Sequence, residues 1–371
     1  MTAYILLIVL SAVFSFVSIR REAPELCIVR AGQGQLGTPG NLALPVFFLM
    51  LFAMAALKGE SVGNDTANYA YFFDIYHDCS WQTVMDADLD VLYVLLNWLV
   101  GFVTDDFQVF LVIASALIVF PLARLYMEDR RYSFLKIVLF MNMPNFVLLF
   151  SGIRQYLAIV AGIWAYHMTR KKKPLGFALA CVVALGIHHS GFMLLPMYGL
   201  YHANFKRRHL LFIVPAIGAV FVFNRQIFTV LLTFLARFSD KYSSEISSTG
   251  AITMLVLFAL FAALCYIIPR ESQMDAETLG LRNLLLFAVV LQCFAPLHTL
   301  SMRLNYYYIL FIPMVVPKCL AQASPAYKQV AQLANVVMCL FFTGYYILCC
   351  YQALQTGGSL HTVPYIPFWC E

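Results

Sequence analysis

The 371-residue sequence predicts an all-α polytopic membrane protein, with about twelve transmembrane helices plus two interfacial or re-entrant helices. Three observations predict it. Hydrophobic residues make up 62% of the chain and charged residues only 12%, half the roughly 25% of a soluble domain. The apolar residues fall in runs of spanning length, and a lipid-exposed span is helical because its backbone groups pair only within the segment. Lysine and arginine gather in short clusters between the runs, as topology signals do. The net charge of +5 therefore reports topology and not a nucleic-acid face.

In chain order the runs are 3–19, 42–57, 108–125, 134–150, 153–169, 174–188, 190–204, 209–224, 251–268, 283–300, 304–320 and 329–351. The first, Tyr4 to Val17, is followed by Arg20-Arg21 and no small-residue cleavage site, which reads as a retained span. Two further stretches, 91–103 and 226–237, are too short or too interrupted to count as spans. No repeat, low-complexity segment or long linker appears, so residues 1–371 read as one transmembrane domain. It carries a large outer loop at 58–90 and a second at 226–250. The ten cysteines show no CxxC pair or metal spacing. Cys79 and Cys370, in polar segments, are the candidates for a disulfide.

Orientation follows from the clusters Arg170 to Lys173 and Lys206 to Arg208, both cytoplasmic by the positive-inside rule. With 20–41, 124–136, 270–282 and 318–328 they hold 18 of the 24 Lys and Arg residues, and six remain outside. Both termini then face outward, provided that 91–103 and 226–237 do not cross. If both crossed, Arg124, Arg130, Arg131 and Lys136 would be stranded outside.

The outer face collects the residues that can do chemistry. Ser151-Gly152-Ile153-Arg154-Gln155 is a glycine turn carrying an arginine between two apolar runs. Such an arginine costs a few kcal/mol unless it faces water or an anion; its ordinary reading is an anchor snorkelling to the headgroups. Asp65 and Tyr69 lie in the first outer loop, His188 and His189 between two spans, and Arg303 just before Tyr306-Tyr307-Tyr308. Asp65 also suits a helix N-cap, and Asp86, Asp88 and Asp90 suit a solvated face. Taken together, two arginines offer forked donors for phosphate oxygens, and a carboxylate or histidine can take a hydroxyl proton. Gln155 and the tyrosines can contact sugar rings. Adjacent histidines lack metal-ligand spacing, so neither metal nor cofactor is expected; the acidic triplet is the one oxygen-ligand candidate. These parts fit a transferase acting on a lipid-linked sugar pyrophosphate. A proton-coupled transporter would need ionisable residues mid-span.

Gly63-Asn64-Asp65-Thr66-Ala67-Asn68-Tyr69 resembles a Gly-Thr-Asp-Thr-x-x-Tyr motif, with Asn64 where threonine is usual. Ser151 to Gln155, then Arg170 to Lys173, then His189-Ser190 resemble a central core, and Arg303 to Tyr308 with Val363-Pro364-Tyr365 resemble C-terminal marks. The chain thereby resembles the EpsG family, which includes Wzy-type polymerases of O-antigen and exopolysaccharide repeat units. The resemblance implies a GT-C-like, metal-independent glycosyltransferase in the bacterial inner membrane, its site facing the periplasm. It implies an undecaprenyl-pyrophosphate-linked donor, a lipid-linked acceptor, and a chain-length regulator and flippase as partners. Asp65, His189 and Arg154 become the catalytic candidates, with either Asp65 or a histidine as base. Arg303, Gln155, Tyr69, His188 and Tyr307 become the substrate-binding candidates. A ligase transferring finished glycan, or a flippase of the lipid-linked unit, are the alternatives.

Overall fold

A computed structural model describes residues 2–22, 42–236, 250–297, 299–356 and 358–371. Every regular element among them is helical; two isolated bridges, Lys58 with Pro367 and Pro269 with Ala323, are the β-type pairings. The chain divides into two compact units, 1–195 with 333–371, and 196–332. The division falls in an apolar stretch with no linker composition to announce it.

The first unit opens with α1 (Thr2–Glu22) and α2 (Ala43–Ala56), followed by the short helices α3 (Thr66–Tyr76), α4 (Trp81–Met85) and α5 (Val91–Gly101). It continues with α6 (Phe107–Met127), α7 (Ser133–Met141), α8 (Pro144–Ser151), α9 (Ile153–Arg170) and α10 (Pro174–Ile187). Helices α9 and α10 pack along each other, as do α2 and α6, and α1 and α2. With apolar lipid outside, helix association rests on close packing and dispersion, and aromatic rings carry much of it here. Phe140 meets Phe47 at 6.1 Å and Tyr126 at 5.6 Å, both edge-on, and Phe146 meets Tyr346 at 6.0 Å.

The second unit contains α11 (Met197–His202), α12 (Leu210–Val222), α13 (Asn224–Ala236), α14 (Gly250–Ile267), α15 (Ala276–Gln292), α16 (Thr299–Ile309) and α17 (Ile312–Ala321). Its most buried charge is Arg282, 1% exposed, which stacks on Tyr266 at 3.9 Å and donates to the Phe205 carbonyl at 2.7 Å. Helix α18 (Lys328–Thr356) starts in this unit and continues into the first.

Three described helices are long and apolar enough to cross a membrane: Phe107–Met127, Ser301–Ala321 and Pro325–Thr356; two bent pairs raise the number to five. The sequence suggested about twelve. Five further apolar helices among the described residues, Thr2–Val17, Ala43–Ala56, Val91–Gly101, Pro174–Ile187 and Ile252–Ile267, have only 10–17 residues, and helix breaks divide other apolar runs. The run 134–150 is two helices bent by 63°, because Pro144 at the start of α8 has no N–H to continue α7. Asn142 seals the break, its amide donating to the carbonyls of Val138 at 2.7 Å and Phe342 at 3.0 Å. The run 190–204 is a 3-10 turn, His189–Leu194, followed past Pro196 by the six-residue α11. Helices α12 and α13 meet at a 72° bend. Helix α5, at 11 residues, extends only ~16 Å, about half the hydrocarbon core.

Segments grouped by their basic charge come together within each unit. Arg170 meets Glu128 at 2.6 Å in the first unit, joining 124–136 to 170–173. In the second, the Arg207 backbone N–H donates to Glu271 at 2.6 Å and Lys318 donates to Glu277. Cys79 and Cys370 are both free thiols, so the expected disulfide is not formed. Distant sequence positions left them in separate turns: Cys79 ends the α3 region, its carbonyl taken by Trp98, while Cys370 lies in an exposed C-terminal turn.

Candidate functional site

One end of the first unit is built on one buried lysine. Lys58 is 1% exposed, and its Nζ donates to the Val62 carbonyl at 3.0 Å, to Thr66 Oγ1 at 2.5 Å and to the Phe150 carbonyl at 2.5 Å. All three ammonium protons are thus engaged in joining the Gly63-Asn64-Asp65-Thr66 loop to the residue before the Ser151–Gln155 turn. Burial lowers the Lys58 pKa to about 7, opposed by the carboxylates of Asp65 and Glu371. Gly63 completes the junction. Its φ is +94°, and a Cβ there would stand 2.3 Å from the Phe150 carbonyl oxygen, so only glycine fits.

The C-terminal segment closes over the same loop. The backbone N–H of Gly63 donates to the His361 carbonyl at 3.0 Å, and that of Asn64 to Leu360 at 3.0 Å. Tyr365 donates to the Met54 carbonyl at 3.1 Å and Tyr4 to the Thr362 carbonyl at 2.7 Å. Glu371 accepts the backbone N–H groups of Glu60 and Ser61 at 2.7 and 2.8 Å. Three motifs far apart in sequence therefore share one rigid platform.

On this platform Arg154, the second residue of α9, reaches Asp90. Asp90 Oδ2 lies 3.8 Å from Arg154 Nε, and its Oδ1 lies 3.9 Å from His189 Nδ1. Asp90 occupies the N-cap position of α5, yet its side chain makes no capping bond; it turns to the arginine and histidine instead. The carboxylate is 16% exposed, the guanidinium 20% and the imidazole 54%. Burial raises the Asp90 pKa above the usual carboxylate range, while Arg154, His189 and the His189 backbone N–H pull it back. At 3.8 Å the arginine contact is an ion pair, longer than a hydrogen bond. Arg154 Cζ also sits 5.8 Å from the centre of the Tyr93 ring. Among the described residues its guanidinium makes no hydrogen bond. His188 stacks on His189 at 4.4 Å, and its Nδ1 accepts the backbone N–H of Ser190 at 3.1 Å. That bond orients the pair as α10 gives way to the 3-10 turn.

Of the residues the sequence singled out, the first unit brings Arg154, His188 and His189 into one cluster. Asp90 joins them, where the sequence suggested a solvated face; Asp86 instead accepts a hydrogen bond from Gln82 at 2.9 Å. The acidic triplet is thereby divided, and no group of three His, Cys, Asp or Glu residues is arranged for a metal among the described residues. Asp65 sits at the N-cap of α3 without a side-chain capping bond, in the field of Lys58. Tyr69 is buried, edge-on to Tyr93 at 5.9 Å, so it supports the ring beneath Arg154. Gln155 is 5% exposed, on the side of α9 turned into the unit. Arg303 and Tyr307 lie on α16 of the second unit, Arg303 exposed and Tyr307 buried; His298 lies outside the described residues. Sequence reasoning named Asp90 only as part of the acidic triplet, and it missed Lys58 and Tyr93. A carboxylate immediately before an apolar helix was the available signal for Asp90, and a lone lysine ending an apolar run was the one for Lys58.

A chain whose described elements are all helical and largely apolar, with an arginine–carboxylate–histidine cluster at one end of a bundle, belongs to the class of helical membrane proteins. Residues 41–366 match the EpsG family, and the chain belongs to that family. No curated protein and no solved structure matches it.

Proposed function

We propose that the chain is a glycosyltransferase of the polymerase type, joining lipid-linked oligosaccharide repeat units on the extracytoplasmic face to make O-antigen, capsule or exopolysaccharide. One observation carries the reading: the mostly buried Arg154 guanidinium, balanced among the described residues by a single carboxylate at 3.8 Å, stands in a cluster with His189. A permanently charged donor that makes no hydrogen bond among the described residues is suited to a phosphate oxygen. Family membership supports the substrate class.

In this reading an acceptor hydroxyl oxygen attacks the anomeric carbon of the donor sugar. The bond from that carbon to the pyrophosphate oxygen breaks, and the lipid pyrophosphate leaves with the electron pair. Arg154 holds the charge that develops there. His189 takes the hydroxyl proton, and the Asp90 carboxylate steadies the imidazolium that forms. Asp65 serves through Lys58 and the loop rather than as base. Arg154 fills the part that a divalent cation plays in nucleotide-sugar enzymes, so polymerisation persists in chelator.

The test is Arg154→Lys, which keeps the charge and loses the fork. Losing one such donor costs ~3 kcal/mol, a hundredfold or more in rate. Cells carrying the variant at normal protein level should accumulate single-repeat product. Long polymer of normal length would reduce Arg154 to an anchor, and loss of all attached glycan, single repeats included, would move the assignment to a ligase.

A further inference from the structure

A groove runs down the first unit between α6 and α9, and the reaction above does not use it. Its volume is about 640 Å3, within the ~300–1,000 Å3 of small-molecule sites. Leu117, Pro121, Arg124 and Glu128 line it from α6, and Leu157, Ala161, Trp164, His167 and Lys171 line it from α9. These positions recur every three or four residues, so each helix offers one continuous face. From Leu157 to Lys171 the α9 face rises ~21 Å, about two thirds of the ~30 Å hydrocarbon core.

The two ends of the groove differ. Leu92 and Tyr93 of α5 border one end, while Arg124, His167, Arg170 and Lys171 surround Glu128 at the other. Glu128 is committed to Arg170, whose two terminal nitrogens donate to it at 2.6 and 3.4 Å, and it lies 3.7 Å from His167. One carboxylate thus faces three permanent cations. Arg124 and Lys171 are exposed and form no ion pair among the described residues. An apolar trough ending in surplus positive charge suits an amphiphile with an anionic head and a long apolar tail. The basic end belongs to the Lys- and Arg-rich segments 124–136 and 170–173, at the far end of α9 from Arg154. Its head group therefore lies in the opposite leaflet from the reacting sugars.

We propose that this groove is a binding site for an anionic phospholipid of the leaflet bordering Arg170 to Lys173. Arg124 and Lys171 hold its phosphate, and an acyl chain lies along α9 as far as Tyr93. Because Tyr93 lies beneath Arg154 at 5.8 Å and belongs to the helix that Asp90 begins, an occupied groove supports the floor of the catalytic cluster from within the membrane.

The experiment is native mass spectrometry of the delipidated full chain, titrated separately with phosphatidylglycerol, with phosphatidylcholine of the same acyl chains, and with undecaprenyl phosphate. The expected result is one tight equivalent of phosphatidylglycerol and at least tenfold weaker phosphatidylcholine. R124Q with K171Q, both exposed and so compatible with folding, should weaken phosphatidylglycerol about thirtyfold. A161F, which fills the trough, should remove binding of both phospholipids at this site. R154K should leave phosphatidylglycerol affinity unchanged, which separates this site from the polymerase reading. Equal affinity for the two phospholipids, or unchanged affinity in R124Q/K171Q, overturns the proposal. So does tight undecaprenyl phosphate with weak phosphatidylglycerol.

Discussion

The two ends of α9 carry the same three groups, an arginine, a carboxylate and a histidine, in two different states of commitment. At the Arg170 end the guanidinium grips Glu128 at 2.6 Å and His167 stands 3.7 Å away. At the Arg154 end the nearest carboxylate contact is 3.8 Å and the histidine contact 3.9 Å. A satisfied pair is structure. A pair held apart, with its arginine four-fifths buried, has the charge and spacing that the proposed reaction asks of it. Glu128 is the C-cap residue of α6 and Asp90 the N-cap residue of α5, so each carboxylate is presented from a helix end.

The largest expected effects break the Arg154 end. His189→Ala and Asp90→Asn should each lower the rate of polymer formation at least a hundredfold at normal protein level, read as repeat-unit ladders. Equal loss from Glu128→Gln would erase the contrast between the ends. Next is pH. Asp90 has a raised pKa through burial, so it is ionised above that value and gains its proton as the pH falls through it. Because the base His189 also gains a proton on the acid side, the Asp90 contribution is read as a difference: the acid-side midpoint of initial rate against pH should shift between wild type and the residual activity of Asp90→Asn, and an unchanged midpoint contradicts this.

A smaller effect sharpens the role of the platform. Lys58→Met leaves the carbonyls of Val62 and Phe150 without their donor, which should cost ~1–3 kcal/mol, seen as a lower thermal midpoint in detergent. Its pH dependence carries a definite sign. With a folded pKa near 7 and an unfolded one near 10.4, the folded state binds fewer protons between these values. The wild-type midpoint should therefore rise with pH across that window, and the rise attributable to Lys58 should vanish in Lys58→Met. The smallest effect is Glu128→Gln. Its partner Arg170 is 29% exposed and Glu128 28%, so loss of the pair should cost about 0–1 kcal/mol and leave polymer length near normal.

Composition, run lengths and the placement of lysine and arginine determined the helical membrane class. These are properties of single segments, since each helix must satisfy its own backbone and each basic cluster acts locally. The turn holding Arg154 and the adjacent histidines were legible for the same reason: each is a charged or polar interruption between apolar runs. Tertiary structure decided the rest. Asp90, Arg154 and His189 come from three segments, and only packing of α5, α9 and α10 shows that the carboxylate serves the arginine and not solvent. Lys58 looked like the end of a span until Thr66 and Phe150 took its protons. The helix breaks at Pro144 and after His188 were written in the chain, but their geometry was not. An apolar run states how much surface wants to leave water, while the direction of a bend depends on the groups, such as Asn142 and Phe342, that meet across it.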